Sequence, residues 1–233
     1  MLNAIRYEVT RLTSVRSTWA LLAAGMAMQA FIAFVYAGKT DMTAGDRFVQ
    51  SFHGLPLILV TLFTTAVAVN SFGHEYRYRT ITTTMLTLRR PGRVLAAKAL
   101  INAGFAAVSG AAMVALTLAI EAVRAGAPTE IGLIARIFGA VMLYAALAAL
   151  VGMGIAAVTR NATIAMVATL AIPTVVEVAA LLFGLSIKIL PFSAAAQLVQ
   201  PRGLNVLLLP LPLIGLAAGL LAASGVLLAR RDV

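Results

Sequence analysis

No cysteine occurs among the 233 residues, and histidine occurs only twice, as His53 and His74. Without cysteine the chain has no disulfide, no thiol nucleophile and no sulfur ligand for a metal. The two histidines are far apart in sequence and lie outside the apolar runs, so they do not supply the clustered ligands of a zinc site. We therefore expect no metal site on this chain.

Charged residues are also scarce, because they make up 11% of the chain whereas apolar residues make up 61%. A soluble domain carries roughly a quarter charged residues. So few charges cannot cover a water-soluble globule, and most of the outer surface must face lipid. The formal net charge of +10 fits the lysines and arginines that membrane proteins collect on cytoplasmic loops. We expect an integral membrane protein with lipid as a partner and no nucleic acid.

Six apolar runs are long enough to cross a bilayer. A spanning helix needs about 20 mainly apolar residues, and lipid requires every backbone polar group to be bonded within the protein. The runs are continuous rather than alternating, which favours helices over a barrel. We predict an all-α integral membrane protein with spans near 19–37, 54–73, 99–120, 132–158, 162–185 and 204–229.

Charge placement predicts the orientation of these spans. With the amino terminus in the cytoplasm, twelve of the 18 lysines and arginines lie inside and six lie outside. Orientation follows such an excess, so we expect both termini in the cytoplasm. An even number of spans is consistent with this arrangement.

Two segments are expected to lie in the membrane interface, and the remainder of 19–233 forms the transmembrane domain. Residues 1–18 carry an apolar stripe at helical spacing, which predicts an amphipathic helix in the cytoplasmic interface. The stripe consists of Leu2, Ile5, Val9 and Leu12. Residues 187–202 are apolar but are too short, and too interrupted by proline, to cross the bilayer. We expect them to form a re-entrant or interfacial segment on the outer side.

Polar residues within the apolar runs are candidates for a substrate path. Glu177 follows Pro173 in the fifth span, and a carboxylate at membrane depth usually faces a cavity or a partner. It is either a hydrogen-bonded structural group or a group that lines a substrate path or couples protons. Gln29 and Asn102 are the other candidates, although such amides more often join neighbouring helices.

A basic, threonine-rich segment, residues 74–98, stands between the second and third spans. It contains six of the 18 lysines and arginines. If it forms a helix from 76 to 88, the apolar side consists of Tyr78, Ile81, Met85 and Leu88. A short amphipathic helix beside the cytoplasmic leaflet can lie on anionic lipid or dock into a groove on a soluble partner.

This segment also resembles a known family. The resemblance rests on Glu75-Tyr76-Arg77, Thr80-Ile81-Thr82-Thr83-Thr84, Arg89-Arg90 and Arg93-Val94-Leu95-Ala96-Ala97-Lys98. This block is similar to the segment after the second span in ABC type-2 transporter permeases. One departure is Arg79, where the family commonly has a small residue.

Looser similarities extend over nearly the whole chain in the same order. They lie at Gly152-Met153-Gly154 through Thr159-Arg160-Asn161-Ala162, at Pro173 with Glu177, and at Leu190-Pro191-Phe192-Ser193-Ala194. The resemblance implies six spans, an N-terminal interfacial helix, both termini in the cytoplasm and a cytoplasmic coupling helix.

The resemblance also implies partners. The coupling helix would dock onto a separate nucleotide-binding ATPase subunit, which binds ATP and magnesium, so this chain itself is expected to be no enzyme. A second permease subunit, identical or related, would complete the transporter in the plasma membrane of a bacterium. The docking residues implied are Glu75, Tyr76, Arg77, Tyr78, Arg79, Thr80, Ile81, Met85, Leu88, Arg89 and Arg90.

The leading interpretation is the membrane-spanning subunit of an ATP-driven exporter that moves a hydrophobic or amphipathic substrate out of the cytoplasm. One alternative is an ATP-independent secondary transporter in which Glu177 is the coupling group. The other is a membrane-embedded enzyme that acts on lipid. The enzyme is disfavoured because the predicted spans contain one carboxylate and no histidine, too few groups for a catalytic site.

Overall fold

The computed structural model describes residues 2–77, 91–200 and 205–230. Within these ranges every regular element is helical. The elements are α1 (Leu2–Ser14), α2 (Arg16–Ala37), α3 (Ala44–Gln50), α4 (Leu55–Arg77), α5 (Pro91–Arg124), α6 (Ile131–Thr159), α7 (Ala162–Ala171), a π-helical turn (Ile172–Val176), α8 (Glu177–Leu182), a 3₁₀ turn (Ile187–Ile189), α9 (Pro191–Ala196) and α10 (Leu211–Arg230). In this described part of the chain, six helical stretches are long and apolar enough to cross a membrane. The predicted all-α membrane protein is confirmed.

Spans 1 to 4 are α2, α4, α5 and α6. Span 5 consists of α7, the π-helical turn and α8, and span 6 is α10. We call the end of the bundle that carries α1 the cytoplasmic end, following the charge-based orientation, and the opposite end the outer end.

The predicted starts of spans 3 and 6 are wrong, and prolines account for both. Span 3 was expected from residue 99, but α5 already begins at Pro91, since proline is favoured in a first helical turn. Span 6 was expected from residue 204, but α10 begins at Leu211. Pro210 and Pro212 lack the N–H that a helix interior requires, so the helix cannot continue further upstream.

Spans 2 and 4 form the centre of the bundle. In their most apolar stretches 61% and 72% of residues are buried, against 22–33% for the other four spans. Two glycines of α6 allow this close packing. A Cβ added at Gly152 would lie 2.5 Å from Cγ2 of Thr65 in span 2, and one added at Gly154 would lie 2.7 Å from Cβ of Leu220 in span 6. Any larger residue would therefore push neighbouring spans away from α6.

A turn of two residues joins spans 4 and 5 at the cytoplasmic end. Arg160 has φ 56° and ψ 23°, the left-handed conformation that often ends a helix. Asn161 then caps α7, because its Oδ1 accepts hydrogen bonds from the backbone N–H of Thr163 at 2.9 Å and Ile164 at 3.1 Å. The turn forces the two spans into an antiparallel pair.

The inward face of the first helix, α1, is shifted from the predicted stripe, with Leu12 common to both. Its buried residues include Ala4, Glu8 and Leu12, whereas Val9 is 44% exposed. Ala4, Glu8 and Leu12 recur every four residues and so share one side of the helix. The inward face of α1 is thus centred on a carboxylate. This carboxylate can face inward because a buried lysine of α5 lies opposite it.

Candidate functional site

Lys98, in the second turn of α5, is fully buried at the cytoplasmic end of the bundle. Its Nζ donates to Glu8 Oε1 at 2.6 Å and to Glu75 Oε1 at 2.6 Å. A third bond goes to the Ser71 carbonyl oxygen at 3.1 Å. An ammonium group has three hydrogens to donate, so Lys98 uses all of them to join α1, α4 and α5.

A second cation completes this site. Arg11 Nε lies 2.9 Å from Glu8 Oε2, one turn further along α1. The four side chains Glu8, Arg11, Glu75 and Lys98, which we call the Lys98 cluster, carry two negative and two positive charges. Burial of a charge is tolerated when opposite charges and hydrogen bonds satisfy it. The ring of Phe72, centred 5.1 Å from Lys98 Nζ, adds a cation–π contact.

Local helix geometry places these groups together. Ser71 and Glu75 are four residues apart in α4, so both lie on the side of the helix that faces α5. On α5, Asn102 Nδ2 donates to the Lys98 carbonyl oxygen at 2.8 Å. The last turn of α4 and the first turns of α5 therefore lie side by side.

The Lys98 cluster includes two residues of the basic segment, Glu75 near its start and Lys98 at its end. Residues 78–90 are outside the described residues, as is the side chain of Arg77. Eight further predicted docking residues therefore lie outside the described residues, namely Tyr78, Arg79, Thr80, Ile81, Met85, Leu88, Arg89 and Arg90. Their docking role stays a prediction. Residues 78–90 connect the helix that carries Glu75 to the helix that carries Lys98.

The two remaining docking candidates face the bundle. Glu75 is 3% exposed and bonded to Lys98. Tyr76 donates from its hydroxyl to the Ala157 carbonyl oxygen at 3.4 Å, and its ring stacks on Phe72 with centroids 6.1 Å apart. In this structure both side chains therefore make contacts within the chain, and their predicted contact with a partner is untested.

Glu177, the carboxylate within span 5, binds the end of a short helix. It is 2% exposed, and it accepts from the backbone N–H of Phe192 at 2.8 Å and of Ser193 at 2.6 Å. These are orphan donors at the start of α9, where a carboxylate is favoured. The π-helical turn, which contains Pro173, directly precedes Glu177. The contact ties span 5 to the predicted outer segment.

The other two substrate-path candidates lie on different helices. Gln29 of span 1 donates from Nε2 to Thr117 Oγ1 of span 3 at 2.7 Å, and Asn102 bonds within span 3. Thr117 is 15 residues beyond Asn102 in α5, about 22 Å along a helix with a 1.5 Å rise per residue. Gln29 and Asn102 therefore do not share one site.

The sequence interpretation missed a carboxylate near the outer end. Because α5 continues to Arg124, Glu121 lies within span 3, where it is fully buried. Neither carboxylate oxygen has a hydrogen-bond partner among the described residues. Nearby, Arg47 of α3 donates to the carbonyl oxygens of Met42 at 2.8 Å and Ala125 at 3.0 Å. The statement that the spans contain one carboxylate is wrong, since Glu75 and Glu121 also belong to spanning helices.

An apolar cavity of about 380 Å³ opens at the outer end. It lies between the start of span 2, span 5 and α9. Its lining includes Leu55, Ile58, Pro173, Val178 and Phe192. Pockets of this size with mostly apolar walls bind small organic molecules. None of the three predicted substrate-path residues is in its lining.

Comparison with known proteins identifies the chain's relatives. The family model described as "ABC-2 family transporter protein" matches residues 4–179, from α1 into α8. A search of curated proteins finds no match. The matched region includes the Lys98 cluster, the basic segment and Glu177, and it covers more than half of the chain. The chain therefore belongs to the ABC-2 transporter family and is a membrane permease of an ABC transporter.

Proposed function

We propose that this permease is the membrane-spanning subunit of an ATP-driven exporter in the plasma membrane of a bacterium. The family match supports the assignment most directly. A permease of this family works with an ATP-binding subunit, and we assign ATP and magnesium to that subunit. ATP binding changes the ATPase, and its different affinity for two permease conformations shifts the population between them.

We propose that the basic segment is where the ATPase docks. Ile81, Met85 and Leu88, with Tyr78, supply an apolar stripe for a groove on the partner. The arginines of the segment supply polar contacts around it. The buried position of Glu75 supports a different task for that residue, namely to fix the end of α4 beside the segment.

We further propose that two permease chains, identical or related, enclose the transport path. The substrate is apolar or amphipathic. The cavity at the outer end supports this class, because its walls are mainly aliphatic and aromatic with few polar groups. The two backbone hydrogen bonds of Glu177 support a structural role there and give no support to proton coupling.

The docking assignment is tested by purification of the tagged permease from its own membranes. Retained ATP-binding subunits are detected by photolabelling with 8-azido-ATP. We expect Ile81→Asp and Met85→Asp to remove the labelled subunit, because a carboxylate on the apolar stripe cannot enter an apolar groove. Leu207→Asp is the matched control, since Leu207 is 81% exposed at the opposite end. An intact complex in both stripe variants contradicts the docking assignment.

A further inference from the structure

We propose that the Lys98 cluster links α1 to the last turn of α4 and the first turns of α5, so that displacement of these helix ends is transmitted through Glu8 to α1 and span 1. Glu8 and Lys98 are then positioning residues for coupling. The source of the displacement rests on the proposed function, in which an ATPase binds the segment. The link itself depends only on contacts within this chain.

The first observation is that one atom joins the three helices. Lys98 Nζ bonds Glu8 of α1 and Glu75 of α4 at the same distance, 2.6 Å. Residues 78–90 connect the last residue of α4 to the first residue of α5. A pull on this connection therefore acts on the two helices that carry Glu75 and Lys98, and through Lys98 on Glu8.

The second observation is that α1 has few other strong attachments. Among its described apolar side chains, Ala4 and Leu12 are buried, whereas Tyr7 and Val9 are more than 40% exposed. Glu8 is 1% exposed and is the only α1 carboxylate. The charge-assisted bond from Lys98 to Glu8 Oε1 is therefore the main polar attachment of this helix of 13 residues to α5.

The third observation is that α1 is connected to span 1 almost without a break. Val15 alone separates α1 from α2, and the Val15 N–H bonds the Arg11 carbonyl oxygen at 3.2 Å. Trp19 Nε1 also donates to the Thr13 carbonyl oxygen at 2.9 Å. A shift of α1 therefore changes the entry of span 1 into the bundle.

The energetics favour movement as a unit. The four charges of the cluster balance, and all three ammonium hydrogens of Lys98 are bonded. If α1 separated from α5, it would leave a buried carboxylate and a buried ammonium without each other, which is costly at low dielectric. Movement of the intact cluster therefore costs less free energy than separation of Glu8 from Lys98.

The test uses spin labels, which the absence of cysteine makes simple. Thr10 on α1 and Thr163 in the first turn of α7 are exposed and are changed to cysteine. A second pair, Thr163 and Asp41, reports the integrity of the bundle. Distances are measured by double electron–electron resonance in lipid nanodiscs, first without any partner.

Without a partner, we expect one narrow Thr10–Thr163 distance in the wild type and loss of that narrow distance in Glu8→Gln. The Thr163–Asp41 distance should be unchanged. Glu8→Asp, which keeps the charge, should restore the narrow distance, and Glu130→Gln, an exposed glutamate, should have no effect. A narrow distance in Glu8→Gln, or a broad one in Glu8→Asp with the bundle intact, overturns the link.

With the co-purified ATPase, ATP and orthovanadate should shift the Thr10–Thr163 distance in the wild type and not in Glu8→Gln. A wild-type complex that traps nucleotide without any shift of α1 overturns transmission through Glu8. If the wild type retains no ATP-binding subunit, the proposed function fails, while the measurement without a partner still decides the link.

Discussion

Lys98 Nζ lies 2.6 Å from Glu75 Oε1, and the two residues belong to the helices that residues 78–90 connect. Their helices meet in a buried contact that also includes Glu8 of α1. The two helix ends that residues 78–90 connect are therefore held together. A docking segment with fixed ends can transmit a force into the spans, whereas a loosely attached segment would absorb it.

Removal of the central cation should destabilise the fold. Lys98→Met leaves Glu8 and Glu75 buried without their cation, and breaking a buried ion pair in this way costs about 3–5 kcal/mol. Replacement of the three most deeply buried charges, in Glu8→Leu/Glu75→Leu/Lys98→Met, should recover most of that loss, since Arg11 is partly exposed and can reach water. The thermal unfolding of the purified chains measures it, with Lys188→Met, at an exposed lysine, as control. A triple variant no more stable than Lys98→Met contradicts the account.

The glycine contact at the centre of the bundle gives a prediction with a control in the same helix. Gly152→Ala places a methyl group 2.5 Å from Thr65 Cγ2, and such overpacking costs about 1–3 kcal/mol. Gly139, also in α6, has open space around its Cβ position. There Gly139→Ala should stabilise the chain by up to about 1 kcal/mol through helix propensity. Equal melting temperatures of the two variants would show that the close contact is absent.

Glu177→Gln should loosen the outer segment. A carboxylate accepts both backbone N–H bonds, whereas the amide has one acceptor oxygen, so about 1.5–3 kcal/mol of charge-assisted bonding is lost. Hydrogen exchange at the Phe192 and Ser193 amides should become faster, with exchange in α1 unchanged. Transport that stays the same across pH in this variant would exclude a protonation role. Unchanged exchange at both amides would contradict the capping role.

The cap of span 5 should be sensitive to the chemistry of one side chain. Asn161→Ala removes the acceptor for the Thr163 and Ile164 amides and should cost about 1 kcal/mol. Asn161→Asp keeps an equivalent acceptor and serves as the control. The difference between the two unfolding midpoints measures the cap. If Asn161→Asp is as destabilised as Asn161→Ala, the hydrogen bonds do not account for the effect.

The span count followed from sequence because it depends on local composition alone. Twenty apolar residues must cross lipid whatever their neighbours are. The starts of spans 3 and 6 depended on prolines, a local signal that the count of apolar residues did not use. The burial of Lys98 depended on charged partners elsewhere in the sequence, which is a non-local feature. Lys98 was expected to end the basic segment between spans 2 and 3, but two carboxylates on other helices allow it to be buried inside α5.

The site was harder to predict for the same reason. Glu8 lies between residues of the predicted apolar stripe, and its separation from Lys98 by 90 positions left no sequence pattern to join them. One signal was available: Ala4, Glu8 and Leu12 recur every four residues and mark an alternative inward face. Glu177 was recognised as a buried carboxylate, but its partners are backbone amides of another helix, which no side-chain motif reveals.

The central claim, that the basic segment binds the ATPase at the cytoplasmic end, can be tested by cross-linking from a single cysteine. The chain has none of its own, so Thr83→Cys in the segment carries the only photo-cross-linker, and Leu207→Cys at the outer end carries it in the control. Membranes are irradiated, and adducts are probed with 8-azido-ATP. The account predicts an adduct with an ATP-binding subunit from Thr83→Cys and none from Leu207→Cys. No adduct from Thr83→Cys, in a preparation that retains the ATP-binding subunit, would contradict it.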